Sequence, residues 1–357
     1  MPIQRLRIKD FLQASKDKLI LDVRSPGEYT HAHMPSAINF PLFTDEERKI
    51  VGTTYKQKSR EDAIRVGLDF FSPKMKKMVE DVEEILGRPD SKGPKAEVFV
   101  YCWRGGMRSA AIAWLMDLYG FQVFSLAGGY KAFRNHVLQT FEQPFEFKIL
   151  GGYTGSGKTE VLNELAKQGE IIVDLEKIAS HKGSAFGGFK MPPQPSQEMF
   201  ENLLSVELSE KFLNVSPPVG QSPCIWLEDE SQRIGDLNLP NSFWDKMRKS
   251  PIVFVEIPFE ERLNHLVDEY GECETEKLID STRRISQRLG GLDAKNAIEY
   301  LEAGNVKEAF GILLHYYDKR YLKGLHNREN ISTLLTKIQC KTVTQKNALQ
   351  LTKPQPV

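Results

Sequence analysis

A chain of 357 residues exceeds one ordinary domain and suits two, each large enough to bury a core of its own. Its 40% apolar and 27% charged content is that of a soluble globular protein, and no apolar run is long enough to span a bilayer, so no membrane partner is expected. Forty-eight basic residues balance forty-eight acidic ones; net charge argues neither for nor against a nucleic acid, and any such surface must be local.

MPIQRLRIKDFLQ opens the chain charged and amphipathic, without the apolar centre of a signal peptide, and a cytoplasmic protein is expected. The β-rich runs KLILDV (18–23), AINF (37–40), EVFVY (97–101) and QVFSL (from 122) alternate with helical stretches. That is the pattern of a parallel α/β sheet and predicts a first domain over 1–140. FEQPFE (141–146) contains proline, has neither helical nor strand period, and reads as a linker. The alternation restarts with FKILGG, EIIVDL, CIWLEDE and PIVFVEI, which predicts a second parallel α/β domain over 147–340 that turns helical from about Glu260. Residues 341–357 read as a tail. From Ile331 onward there are four lysines and no acidic residue, which suits an anionic partner and a fraying end equally. Cys102, Cys224, Cys273 and Cys340 show neither C-x-x-C nor zinc-ligand spacing, so no disulfide framework and no structural metal are expected. Cys224 is expected to begin a buried strand.

YCWRGGMRS (101–109) places Cys102 where a strand ends and a helix starts near Ser109, with Gly120 ending that helix. Backbone N–H groups opened by Gly105 and Gly106 would form an anion-binding concavity, to which Arg104 and Arg108 add charge. A thiol facing such a field ionises easily and becomes a nucleophile. Together with LILDVRSPGEYTHAHMPSAINFPL (19–42), this loop resembles a rhodanese domain. The resemblance implies that Cys102 carries a persulfide or related chalcogen adduct, and it puts Asp22, Arg24, Glu28 and His33 on a support motif, here expected to position the loop rather than to react. One departure stands out: ordinary rhodaneses have four residues between the cysteine and the loop arginine, whereas five, Trp103 to Met107, precede Arg108 here. The longer loop resembles that of rhodanese-like phosphatases and would cradle a tetrahedral phosphate-like anion.

FKILGGYTGSGKTEVLNEL runs strand, glycine-rich turn, helix, and Gly152 to Thr159 satisfies G-x-x-x-x-G-K-T. The backbone across Gly152, Thr154, Gly155, Ser156 and Gly157 would hold a diphosphate, Lys158 would reach the terminal phosphate, and Thr159 would ligate magnesium. In CIWLEDES, Asp229, with Glu228 as the alternative, is the candidate second magnesium ligand at the end of a neighbouring strand. Arg283 and Arg284 in STRRISQRLGG are candidates to clamp phosphate, or else lie on a solvated helix face.

A rhodanese domain followed by a phosphate-loop domain resembles the tRNA 2-selenouridine synthase family. The similar stretches include FTDEERKIVGTTYKQKSREDAIRVG (43–67), DLEKIASHKGSAFGG (174–188) and WLEDESQRIGDLNLP (226–240), and they run to about Gln339. The resemblance implies replacement of the 2-thio sulfur of a wobble uridine in tRNA by selenium, with selenophosphate as donor. It also implies S-geranylation of that thiouridine by geranyl diphosphate and a site glycine at Gly67; no tightly bound cofactor is expected, and magnesium enters only through the roles given above to Thr159 and Asp229. Contacts to tRNA are expected from Lys56, Lys58 and Arg60 and from His181 and Lys182, as basic residues on exposed loops. Two other classes stay open: a sulfurtransferase or phosphatase acting from the Cys102 loop alone, and a nucleotide-dependent RNA-binding module with an inert rhodanese platform.

Overall fold

The computed structural model describes residues 3–88, 93–213 and 224–351. The end of the expected tail, 352–357, lies outside them. The chain divides into two compact units, Met1–Thr140 and Phe141–Val357.

The first unit runs β1 (Gln4–Leu6), α1 (Ile8–Ala14), β2 (Leu19–Asp22), α2 (Pro26–His31), β3 (Ala37–Asn39), α3 (Asp45–Gln57), α4 (Arg60–Phe71), α5 (Met75–Leu86), β4 (Glu97–Tyr101), α6 (Met107–Tyr119), β5 (Gln122–Leu126) and α7 (Gly129–Thr140). Its five strands are all parallel, in the order β1-β5-β4-β2-β3. Helices cover both faces, so a central strand must be apolar on both sides. In β4, Val98, Phe99, Val100 and Tyr101 are accordingly all fully buried. Gly120 ends α6 in a backbone conformation with φ +122°, which side chains resist.

The second unit runs β6 (Glu146–Gly152), α8 (Lys158–Lys167), β7 (Ile171–Ile172), α9 (Leu175–Ala179), α10 (Gln197–Leu213), β8 (Cys224–Glu228), the antiparallel pair β9 (Arg233–Ile234) and β10 (Leu237–Asn238), α11 (Asn241–Lys249), β11 (Ile252–Glu256), α12 (Phe259–Tyr270), α13 (Thr275–Leu289), α14 (Gly291–Glu302), α15 (Val306–His326), α16 (Ile331–Leu334), β12 (Leu335–Gln339) and α17 (Ala348–Leu351). Its main sheet is parallel in the order β12-β11-β6-β8-β7 and places β6 at the centre. The helices α12 to α15 gather a second apolar core around Leu266, Leu278, Phe310 and Leu313. No helix among the described residues is long and apolar enough to cross a membrane.

Three sequence expectations change here. The chain does not stay helical after Glu260: β12 returns to the sheet and pairs with β11 from Ile252↔Leu335 to Glu256↔Gln339. Residues 341–351 are no loose tail, because Cys340, Ala348 and Leu351 pack with Val161, Leu162 and Leu165 of α8. In the expected linker, Phe141 and Phe145 are buried, with rings against Phe243 and Phe147. Cys224 does begin a strand with a buried interior, but is itself exposed at its edge.

Candidate active sites: a cysteine loop and a phosphate loop

The cysteine loop connects β4 to α6, which starts at Met107, two residues before Ser109. Cys102 is buried; its sulfur accepts from the Gly106 N–H at 3.3 Å and lies 3.2 Å from the Ser109 hydroxyl. The same hydroxyl lies 3.1 Å from the Gly106 carbonyl, to which it can donate, so Ser109 bridges the sulfur and the loop backbone. A second turn clasps the loop. Tyr130 and Lys131 N–H groups donate to the carbonyls of Cys102 and Trp103 at 2.8 and 3.0 Å. Only glycines permit this approach, since a Cβ on Gly129 would sit 2.2 Å from the Cys102 oxygen and one on Gly105 would sit 2.5 Å from the Leu126 oxygen.

The support motif divides into two parts. Arg24 grips Asp22 through Nε and Nη2 at 2.6 to 3.0 Å, also donates to the Ala32 carbonyl at 2.7 Å, and lies 3.8 Å from the Tyr130 ring centre. Tyr101 adds a 2.8 Å bond to Asp22, so this buried pair ties β2, β4 and the clasping turn together. Glu28 instead reaches the loop itself: it receives Arg108 at 2.6 and 3.3 Å and Arg48 at 2.9 and 3.4 Å. Burial pushes its carboxyl up, but the Arg108 bonds and charge outweigh that and hold it at about 2. His33 stacks on Tyr29 with ring centres 3.8 Å apart, its Nδ1 2.9 Å from the Tyr29 carbonyl. Arg104 is exposed. Gly67 lies buried inside α4, where a Cβ would meet Phe43 at 3.3 Å and no atom of the cysteine loop within 4 Å.

Because the Glu28 carboxyl is about 4.5 when free and about 2 here, its charged form stabilises the fold above pH 4.5, and this contribution is lost as pH falls toward 2. Glu28→Gln is expected to lower unfolding stability at pH 7 by up to about 3 kcal/mol, with the difference shrinking below pH 4. Urea unfolding of both proteins at pH 7 and pH 3 checks this; an equal difference at both values refutes it.

In the second unit the phosphate loop leaves the central strand β6 at Gly152 and enters α8 at Lys158, with Gly155 and Gly157 at φ +77° and +67°. Ser156 is buried and turns its hydroxyl back to the Tyr153 carbonyl at 2.7 Å. Arg262 braces the loop from outside: it donates to the Thr154 carbonyl at 3.0 Å and forks onto Asp318 at 2.9 and 2.7 Å. The Tyr321 hydroxyl accepts from the Gly152 N–H at 3.3 Å.

Of the two acidic candidates, Glu228 is the one at the loop, receiving the Thr159 hydroxyl at 2.9 Å. Asp229, the residue expected to share magnesium with Thr159, is turned away into a pair with Arg328 and a 2.6 Å bond from Tyr321. Alternation along the end of β8 separates the two neighbours onto opposite faces. Glu176 and Glu230, absent from the sequence expectations, join Glu228, and ligand oxygens of the three lie within 4.8 Å of one another, a spacing that suits one shared cation. Burial first, then mutual repulsion, pushes each of these carboxyls up to about 8. Burial would lower the Lys158 ammonium, but Glu228, Glu176 and Glu230 outweigh it and raise it.

A cavity of about 1360 Å³ opens from this loop. Phe186, Tyr270, Phe310, Leu313 and Leu314 give it an apolar wall, while His181, Lys182 and Arg284 stand at its polar side. Arg284 donates to the Ala185 carbonyl at 3.3 Å, whereas Arg283 pairs with Asp280 outside the cavity, as 100° per residue on a helix requires. Lys182 is paired with Glu269. Lys56 lies on helix α3 rather than a loop, Lys58 caps it and Arg60 begins α4; all three are exposed.

Residues 7–136 match the model of the rhodanese-like domain, and residues 145–350 match that of the tRNA 2-selenouridine synthase AAA domain. The chain belongs to the tRNA 2-selenouridine synthase family. A tRNA 2-selenouridine synthase of Nitrosomonas europaea is 32% identical over 363 residues, covering 87% of this chain and 90% of that one. One from Hydrogenovibrio crunogenus is 37% identical over 291 residues, 76% of each chain. A solved rhodanese-related protein from Thermoplasma volcanium is 19% identical over 36% of this chain and 88% of that one, with a TM-score of 0.22. As a member of this family the chain has both sites on one polypeptide, so the Cys102 loop and the phosphate loop are always present in equal number.

Proposed function

We propose that the chain replaces the 2-thio sulfur of a tRNA uridine by selenium in two stages, alkylation at the phosphate loop and selenium delivery at the Cys102 loop, and that it works in the cytoplasm where tRNA is. The observation that carries this is the pairing, in one cavity, of a diphosphate cradle with the wall of Phe186, Phe310 and Leu313. An allylic diphosphate such as geranyl diphosphate has that two-part chemistry, a charged head and a hydrocarbon chain. In the first stage the thiouridine sulfur bonds to the allylic C1 as the C1–O bond breaks, and diphosphate leaves into the field of Lys158 and the loop N–H groups. Alkylation turns a poor leaving group into a thiol.

In the second stage selenium enters at C2 and the geranyl thiol departs. Selenophosphate is assigned to the Cys102 loop on the chemistry of its residues: the Gly106 N–H donates to the Cys102 sulfur, and Arg108, here paired with Glu28, brings the positive charge a tetrahedral anion needs. Electron balance favours one route. An S–Se bond to the thiol would leave phosphite, a two-electron reduction of phosphorus; phosphoryl transfer to sulfur forms S–P, breaks P–Se and frees hydroselenide with its electron pair, with no redox change. Water then hydrolyses the phosphocysteine.

Thr159, Glu228, Glu176 and Glu230 would hold a magnesium ion, which would supply charge to offset the departing diphosphate. Magnesium is expected to raise the melting temperature of the full chain, and Glu228→Gln is expected to remove most of that rise; an undiminished rise rejects this ligand set. The reading as a whole is tested by nucleoside mass spectrometry of 2-thiouridine tRNA incubated with the protein, geranyl diphosphate and selenophosphate. Unchanged tRNA would refute it.

A further inference from the structure

The mouth of the phosphate-loop cavity has a composition that the chemistry of a diphosphate does not need. A second hollow of about 580 Å³ adjoins the cavity and shares Arg288, Tyr316 and Arg320 with it. Along α15, Tyr316, Lys319, Arg320 and Lys323 recur at three- and four-residue spacing and so occupy one face, opposite Arg288 of α13. Arg248, beside the carboxyl-terminal end of α15, lies over the Trp244 ring at 5.6 Å, as Arg320 lies over Tyr316 at 5.7 Å.

Among the described residues none of these five cations is in an ion pair: Arg320 reaches only the Tyr316 hydroxyl at 3.4 Å, and Arg248 only the Gly324 carbonyl at 3.3 Å. The one carboxylate lining the second hollow is Asp293. A solvated surface normally intersperses both signs, and a chain of zero net charge has no bulk reason to concentrate one. Cations outside any ion pair, interleaved with the half-buried rings of Tyr316 and Trp244, suit a single-stranded nucleic acid: the cations follow its phosphates, and unstacked bases lie on the rings.

We propose that this mouth, built from α13, α15 and the Trp244–Arg248 pair, grips the single-stranded anticodon loop of tRNA, with Tyr316 as a stacking face for a base. The proposal rests on the tRNA reading above and adds to it where the RNA sits: the mouth leads directly to the phosphate loop, so a base turned out of the loop enters the cavity that would hold the allylic diphosphate.

The test is fluorescence anisotropy of labelled tRNA, and of its anticodon stem-loop, on the full chain across a salt series. Lys319→Glu combined with Lys323→Glu is expected to weaken binding at least tenfold and to flatten the plot of log affinity against log salt by about 1.5, because each lost phosphate contact removes roughly 0.7 to 0.9 of slope. The matching double substitution to arginine is expected to restore both. Tyr316→Ala is expected to weaken the stem-loop complex while Tyr316→Phe does not, which separates stacking from the hydroxyl's bond to Arg320. If wild-type protein binds tRNA and the double glutamate variant, melting normally, binds with the same affinity and slope, the mouth is not the interface and the tRNA reading survives. If the wild-type protein binds no tRNA, both fall.

Discussion

Lys158→Ala is expected to reduce allyl transfer to the thiouridine sulfur by roughly a thousandfold, the scale on which removal of a preorganised charge at a developing anion acts. The loss exceeds that of one hydrogen bond because of what surrounds this ammonium. Glu228, Glu176 and Glu230 converge on it, and without Lys158 a diphosphate would meet their negative charge uncompensated. Mass spectrometry of the nucleosides gives the rate directly. A variant that geranylates at near the wild-type rate would show that the loop only shapes the cavity.

Cys102→Ser is expected to behave in the opposite way: S-geranyl-thiouridine accumulates and selenium fails to enter, with at least a hundredfold loss in the second stage. Serine can keep the bonds to the Gly106 N–H and Ser109, so the loop survives while the softer nucleophile is gone. Selenophosphate carrying radiolabelled phosphorus separates the two covalent routes. Label trapped on the wild-type protein and absent from the serine variant supports phosphoryl transfer; wild-type selenation by the serine variant eliminates the thiol from the reaction.

The parts of the two sites that lie in one stretch of chain were legible from sequence. Strand, loop and helix around Cys102 and around Gly152 to Thr159 are adjacent in the chain, and their spacing is fixed by local geometry. What was missed arrives from far away. Arg262 reaches the Thr154 carbonyl across 108 positions, and Glu176 meets Glu228 only because their segments flank the same strand end. The clasp by Gly129 could have been suspected from the glycine pair in LAGGYKAF, which follows a strand as the loop glycines do. Asp229 and Glu228 could not be told apart, since which neighbour faces the loop depends on the register of β8 against β6. Strand β12 escaped because an edge strand with most side chains exposed carries little apolar pattern.

Helix α15 has two sides with different duties. One carries Tyr316, Lys319, Arg320 and Lys323 at the mouth. The other sends Asp318 to the arginine that braces Thr154, and Tyr321 to the N–H of Gly152. A ligand on either side therefore acts on the same rigid body, and binding free energies are reciprocal. By whatever factor an RNA held on the outer face changed the affinity of the inner loop for a diphosphate, the diphosphate would change the affinity for RNA by that same factor, which would make the helix a point of thermodynamic linkage between the two ligands proposed above.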